Sequence, residues 1–240
     1  MNGTDSQGDS AAPNVTGAVR IRRLAELLVF LFLIVPPMVL AQFAYKQERA
    51  TFGLVAWATI ARDLALVSLI VFFLWRNGER AVEIGWRWKD RWRDVPLGIA
   101  LYGPFALTAV LMERGFRALG LAAPPPSAAS FLLPKGEADF VLAGILVAIV
   151  ALSEETIFRG YLLLRIEGIG WRAPAAVLAS AVVFSIGHGY EGSAGMATVG
   201  MMGVLFALVY IWRKSLVAPI TMHFLQDLVA ILILPLTSGK

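Results

Sequence analysis

The chain contains no cysteine and only two histidines among its 240 residues, and only 16% of its residues are charged. The absence of cysteine excludes disulfide bonds and thiolate catalysis. The scarcity of charge argues against a soluble domain, in which about a quarter of the residues are charged. Any chemistry that needs an imidazole must therefore use His188 or His223.

What the chain has in excess is apolar sequence: 58% of the residues are hydrophobic, and the mean hydropathy is +0.71. Three windows are free of charge and long enough to cross about 30 Å of hydrocarbon as a helix. Four more are apolar but interrupted by polar residues. These patterns predict an all-α polytopic membrane helix bundle of about seven transmembrane helices, with six to eight as the range. The seven windows are 27–45, 50–75, 95–112, 138–164, 174–188, 192–212 and 215–236.

Residues 1–19 are polar and rich in small side chains, which predicts a disordered cytoplasmic tail before a single helical transmembrane domain at 20–240. Pro36 and Pro37 should kink or break the first span. Prolines at 124–126 and at 134 predict a long outer loop. The Gly- and Ala-rich stretch 192–204 suits close helix packing or lateral substrate entry.

The net charge of +4 first suggests nucleic acid as a partner, but the distribution of the basic residues favours a membrane topology. With seven spans and a cytoplasmic N-terminus, thirteen Lys and Arg lie inside and six lie outside, as the positive-inside rule predicts. Residues 84–94 (IGWRWKDRWRD) interleave tryptophan with cations, which is typical of a segment at the lipid headgroups. We therefore expect membrane lipid as a partner, no nucleic acid, and a multi-pass protein of the cell membrane, specifically a bacterial inner membrane.

Three charges interrupt an apolar run at Glu154, Glu155 and Arg159. Placing one ionised carboxylate at membrane depth costs roughly 2.5–3.5 kcal/mol, so such residues are candidates for function. Similar interruptions occur at His188 and at His223 with Asp227. The pair Arg62-Asp63 also interrupts a span; a relay or a substrate contact is one interpretation, but a structural charge pair is favoured.

The distance of these residues from the basic helix ends indicates whether they can meet. At 1.5 Å per residue, Glu154, His188, His223 and Asp227 lie about 14–24 Å from the cytoplasmic ends of their helices. We therefore expect them to form one cluster in the inner half of the membrane.

The spacing within each helix predicts the local contacts. Glu155 and Arg159 are four residues apart and should form an ion pair, while Glu154 points about 100° away. Asp227 is four residues after His223 and can hold its ring. Phe184 should shield His188 from one turn away.

A free carboxylate with two imidazoles suits hydrolysis by activated water, in which the carboxylate acts as the general base and a histidine stabilises the oxyanion. A divalent metal such as zinc is the alternative, with Glu154, His188, His223 and Asp227 as the candidate ligands.

The three motifs EETIFRGYL (154–162), FSIGH (184–188) and HFLQD (223–227) resemble those of the CPBP intramembrane glutamic or metalloproteases. That family includes the type II CAAX prenyl endopeptidases and bacterial bacteriocin-processing or self-immunity proteins. The resemblance covers about residues 150–230.

By position, the resemblance implies that Glu154 activates water with help from His188. Glu155 and Arg159 would be the structural ion pair, and His223 with residue 227 would bind the oxyanion or a metal. Position 227 is Asp where the prenyl-protease branch is associated with Asn, and an ionised Asp cannot donate a hydrogen bond. The CAAX substrate is therefore less well supported than the hydrolase chemistry.

We therefore expect an intramembrane endopeptidase that cleaves a membrane-associated or lipid-anchored peptide or protein near the cytoplasmic leaflet. The alternatives are a non-catalytic membrane scaffold and a proton-coupled transporter that uses the same Glu and His cluster.

Overall fold

The computed structural model describes residues 17–44, 51–124 and 133–234. All regular structure in these residues is helical, and no strand occurs among them. Three one-turn 3₁₀ helices join the longer helices at Ala81–Ile84, Trp88–Asp90 and Gly189–Glu191. The longer helices are α1 (Gly17–Ala44), α2 (Phe52–Asn77), α3 (Arg91–Ala118), α4 (Glu137–Gly168), α5 (Ala173–Ile186), α6 (Gly192–Arg213) and α7 (Val217–Ile233).

Five of these helices, α1, α2, α3, α4 and α6, are long and apolar enough to cross a membrane. The other two, α5 and α7, are shorter apolar helices. The outer faces of the bundle carry large apolar side chains such as Phe32, Leu64 and Leu178, which a lipid environment requires. The expected fold class, an all-α polytopic membrane bundle, is confirmed, and the chain is a multi-pass membrane protein.

The helices run alternately up and down, so the bundle has two ends. The arginine-rich end holds the starts of α1, α3, α5 and α7 and the ends of α2, α4 and α6. Contacts between these segments define it: Arg213 pairs with Asp94 at 2.7 Å, and the Leu216 amide donates to the Gly85 carbonyl. The opposite end, called the far end here, is defined by bonds from Gln42 to the Ile186 carbonyl and from the Ala194 amide to the Ala122 carbonyl.

Arg165 fastens the arginine-rich end together. Its guanidinium is fully buried and bonds both carboxylate oxygens of Glu79, at 2.9 and 2.6 Å. Its Nε lies 3.0 Å from Glu26, so one cation of α4 links α1 and the end of α2. Arg76 and Asn77 also bond Glu26. This network pairs the buried Glu26 and the half-buried Glu79.

The course of α1 differs from what the sequence predicted. A break at Pro36 and Pro37 is wrong, because α1 continues through both prolines, whereas a kink there stays a prediction. Such prolines are tolerated in transmembrane helices because neighbouring groups satisfy the freed carbonyls. The helix begins at Gly17, so the last three residues of the expected tail are helical. Residues 1–16 of that tail and 125–132 of the outer loop lie outside the described residues.

The glycine-rich face of α6 packs on α5. A side-chain carbon at Gly203 would lie 3.1 Å from the Phe184 ring and 3.2 Å from the Arg159 guanidinium, and one at Gly200 would contact Ser185. The small residues of 192–204 therefore serve close packing. The alternative role, lateral substrate entry through this face, is wrong, because α5 covers it.

Candidate active site

The first motif lies where α4 changes its winding. Residues Glu155–Leu162 form a π-helical segment in the middle of α4, a feature that occurs frequently at functional sites. All eight of its residues are buried. Gly160 lets the neighbouring turn approach, since a side-chain carbon there would lie 2.7 Å from the Ile84 carbonyl oxygen. The Trp86 indole N–H donates to the Thr156 hydroxyl at 3.0 Å and ties the same turn to the segment.

The predicted ion pair between Glu155 and Arg159 is confirmed. Arg159 Nη1 lies 2.8 Å from Glu155 Oε1, and both side chains are buried. The guanidinium lies 4.2 Å from the centre of the Phe184 ring and 5.0 Å from that of Phe206. The two aromatic faces stabilise a cation that has left water, through cation–π attraction.

The ring of His223 is held by Glu155. Its Nδ1 lies 2.8 Å from Glu155 Oε1, whereas its Nε2 lies 3.5 Å from Asp227 Oδ2 and 3.8 Å from Glu154 Oε2. The ring also stacks on Phe206 at 5.2 Å. Asp227 lies at ion-pair distance from the ring, as its spacing predicted, but the hydrogen bond of the ring is to Glu155, which the sequence did not predict.

His188 follows the end of α5. Its Nδ1 lies 3.1 Å from the Phe184 carbonyl oxygen, so this nitrogen carries the proton in a neutral ring and leaves Nε2 as an acceptor. The edge-on contact with Phe184, at 4.9 Å between ring centres, confirms the expected shielding.

A cavity of about 370 Å³ brings the motif residues together. Glu154, His188, His223 and Asp227 all line it, while Glu155 and Arg159 lie behind its wall. The remaining wall is mostly apolar and comes largely from α2, α4, α6 and α7, with further contributions from Met38 of α1, Leu133 before α4 and Phe184 of α5. One carboxylate oxygen of Glu154, Oε2, is buried without a hydrogen-bond partner among the described residues. Such an atom in an enclosed polar site is a place for a water molecule or a reacting group.

Five further polar side chains line the cavity: Thr59, Arg62, Tyr190, Glu191 and Gln226. Glu191 and Gln226 were missed from the sequence, since Glu191 falls between two apolar windows and Gln226 is uncharged. Arg62 could be noted from the sequence, because its charge interrupts the apolar window 50–75. It binds its neighbour Asp63, with Nε and Nη2 at 2.9 and 2.8 Å from one carboxylate oxygen. Asp63 is buried, which agrees with the favoured structural pair, but the guanidinium also reaches the cavity.

The motif residues that line the cavity are also the candidate metal ligands. Among the described residues, no three His, Asp or Glu side chains converge closely enough to hold a metal ion. The candidate ligands Glu154, His188, His223 and Asp227 therefore do not fit a zinc site in this arrangement.

Comparison with known proteins agrees with the motifs. Residues 136–229 match the family model described as type II CAAX prenyl endopeptidase Rce1-like. The matched stretch contains all three motifs, so the resemblance to type II CAAX prenyl endopeptidases is confirmed there, and it indicates a CAAX-type peptidase in general. No curated protein and no solved structure matches the chain. The match does not distinguish the bacteriocin-processing branch.

Proposed function

We propose that this protein is an intramembrane endopeptidase that hydrolyses a peptide bond of a membrane-associated or lipid-anchored peptide or protein. The observation that carries the proposal is the position of Glu154. Its unpaired Oε2 atom lies in a cavity within the bundle, 3.8 Å from Nε2 of His223. A carboxylate beside an imidazole is the pair that water activation requires. The family match over 136–229 supports the same reaction.

In this reaction Glu154 removes a proton from a water molecule, and the oxygen of that water attacks the carbonyl carbon of the scissile bond. His188, whose Nε2 is free to accept, helps to orient the water. Glu154 then delivers the proton to the leaving nitrogen as the carbon–nitrogen bond breaks. Proton transfer of this kind contributes on the order of 10²- to 10⁴-fold in rate.

His223 stabilises the negative charge that develops on the carbonyl oxygen. With Nδ1 hydrogen-bonded to Glu155, a protonated ring directs its Nε2 proton into the cavity. The nearby carboxylates of Glu154 and Asp227 favour a ring that carries positive charge during the reaction. Donors fixed in advance at such a position contribute more than donors in water, because they need not reorganise.

The proposal also includes the membrane in which the protein lies and its orientation there. We place the protein in a bacterial inner membrane, because the family that its motifs resemble includes bacterial members. We place the N-terminus in the cytoplasm, because α1 begins at the arginine-rich end.

The test is cleavage of a fluorogenic membrane-peptide library by purified protein, with Glu154→Gln as the variant. We expect cleavage by the wild type and a loss of at least about 10²-fold in the variant, because a general base is removed while the shape is kept. We also expect a chelator to leave the rate unchanged. Glu137→Gln is a matched control, since it changes a carboxylate of the same helix outside the cavity. Equal activity of the Glu154 variant and the wild type would refute the proposal. A folded wild type that cleaves nothing would favour the scaffold or the transporter.

A further inference from the structure

Among the described residues, those that line the cavity near an end of the bundle all come from one end. Its wall includes Met38 near the end of α1, Val55 and Thr59 near the start of α2, and Leu133 just before α4. It also includes Gly187, His188, Tyr190 and Glu191 after α5. All of these belong to the far end. Among the described residues, none from the turns of the arginine-rich end, at 78–90, 169–172 and 214–216, lines the cavity.

The charge of the two ends is strongly unequal. The arginine-rich end carries thirteen Lys and Arg, all within the described residues, whereas the described far end carries three. The thirteen are Arg20, Arg22, Arg23, Arg76, Arg80, Arg87, Lys89, Arg91, Arg93, Arg165, Arg172, Arg213 and Lys214. Lys and Arg in short loops next to membrane spans are retained in the cytoplasm. This bias places the arginine-rich end inside and the far end outside.

The tryptophans support the position of the inner boundary. Six of the seven lie at the arginine-rich end, at 75, 86, 88, 92, 171 and 212. Trp75, Trp92 and Trp212 are more than half exposed, which suits rings in contact with headgroups. The headgroup layer therefore meets this end, on the opposite side of the bundle from the mouth of the cavity.

We propose that the cavity takes its substrate from the non-cytoplasmic side of the membrane. The substrate class is then an apolar segment of an exported, lipid-anchored or membrane-inserted protein that is exposed on that side. A prenylated tail in the cytosol would approach from the closed end. The substrate class rests on the proposed function, whereas the direction of access does not depend on catalysis. It replaces the expectation of cleavage near the cytoplasmic leaflet.

The absence of cysteine makes the direction of access directly measurable, because each introduced thiol is the only one in the chain. Thr59→Cys places it in the cavity wall, and Leu133→Cys at the mouth. Leu119→Cys and Trp92→Cys mark the far and the arginine-rich ends at positions that are 78% and 77% exposed. Leu64→Cys is the matched control on α2, where the side chain is exposed on the outer face of the bundle. The probe is a small, charged, membrane-impermeant methanethiosulfonate, which reacts with thiols in water.

We expect labelling of the thiols at 59, 119 and 133 in right-side-out vesicles and not in inside-out vesicles. The thiol at 92 should show the reverse, and the thiol at 64 should stay unlabelled in both. Labelling of position 59 only from the side that labels position 92 would overturn the proposal. So would labelling of position 92 in right-side-out vesicles, or protection of position 59 on both sides.

The same labelling is measured in the Glu154→Gln background, where no cleavage is needed. An unchanged pattern together with a wild type that cleaves nothing would refute the proposed function and keep the direction of access. Cleavage of peptides with the opposite labelling pattern would keep the enzyme and refute the direction of access.

Discussion

At the scale of single residues, Glu155 has two partners. One of its oxygens lies 2.8 Å from Arg159 Nη1 and also 2.8 Å from His223 Nδ1. The arginine balances the charge of a buried carboxylate, and the carboxylate fixes which nitrogen of the imidazole faces the cavity. A residue interpreted from the sequence as purely structural is therefore also a positioning residue for His223.

The two carboxylates next to His223 should differ in importance. Glu155→Gln should lower kcat/KM by on the order of 10²-fold or more, because loss of the carboxylate that holds a catalytic imidazole has effects of this size or larger. Asp227→Asn should lower it less, since Asp227 lies 3.5 Å from Nε2 and an amide can donate to the oxyanion. Steady-state cleavage by the two purified variants checks the order. The reverse order would mean that Asp227 orients the ring.

Arg159 permits a test that separates charge balance from positioning. Arg159→Met should lower the free energy of unfolding by about 3–5 kcal/mol, because it leaves the buried Glu155 carboxylate without the arginine that balances its charge. The double variant Arg159→Met with Glu155→Gln should recover much of that loss, because no charge is left unpaired. It should stay inactive, because the carboxylate that positions His223 is gone. Denaturant titration in detergent micelles and the cleavage assay measure the two effects.

A double variant as unstable as the single one would contradict this account of the pair. Recovery of both stability and activity would show that Glu155 does not position His223.

The residue contacts that the sequence predicted join residues four positions apart on one segment of the chain. Glu155 with Arg159 and Phe184 with His188 follow from a spacing of four residues. The bond from Glu155 to His223 joins α4 to α7, and no spacing in the sequence encodes how those helices are rotated against each other. Glu191 and Gln226 reach the cavity through the same tertiary arrangement, so they carried no signal of their own.

At the scale of elements, the π-helical segment depends on one close approach. Gly160→Ala would place a carbon 2.7 Å from the Ile84 carbonyl oxygen, and the turn Ala81–Ile84 or the segment must move. We expect a loss of about 1–3 kcal/mol in the free energy of unfolding, as overpacking costs. Activity should fall as well, since Glu155 belongs to the segment.

Gly144→Ala is the matched control for this substitution, because it changes a glycine of α4 where an added carbon meets nothing within 4 Å. It should be neutral or stabilise the helix by up to about 1 kcal/mol. Thermal unfolding of both variants tests the difference. Equal stability would mean that the contact with Ile84 carries no strain.

The positions of the helices were predicted well by hydropathy, whereas the rule that proline breaks a helix did not hold. All seven apolar windows contain a helix, because length and apolar composition decide which segments enter a membrane. The rule for soluble helices failed at Pro36 and Pro37, where α1 continues. The π-helical segment could not be predicted, because an apolar run gives no signal for its winding.

At the scale of the whole molecule, a network of ion pairs around Arg165 links three helices at the arginine-rich end. Arg165→Gln should lower the free energy of unfolding by up to about 3–5 kcal/mol, because Glu26 and Glu79 lose their shared buried cation and keep Arg76 and Arg23 as cationic partners. Arg117→Gln is the matched control, since it breaks a more exposed pair with Glu113 and should cost only about 0–1 kcal/mol. Unfolding of the two variants in micelles compares them. Equal losses would show that the network contributes no more than a surface pair.

The length of α5 has a consequence for the surrounding lipid. Its 14 residues extend about 21 Å, against a hydrocarbon thickness of about 30 Å, and Leu178 and Val182 on it are exposed. A helix shorter than the hydrocarbon layer creates a hydrophobic mismatch, which local thinning of the bilayer can relieve. We expect such thinning beside α5, next to the turn that carries His188. Headgroups and water would then come closer to the cavity on that side.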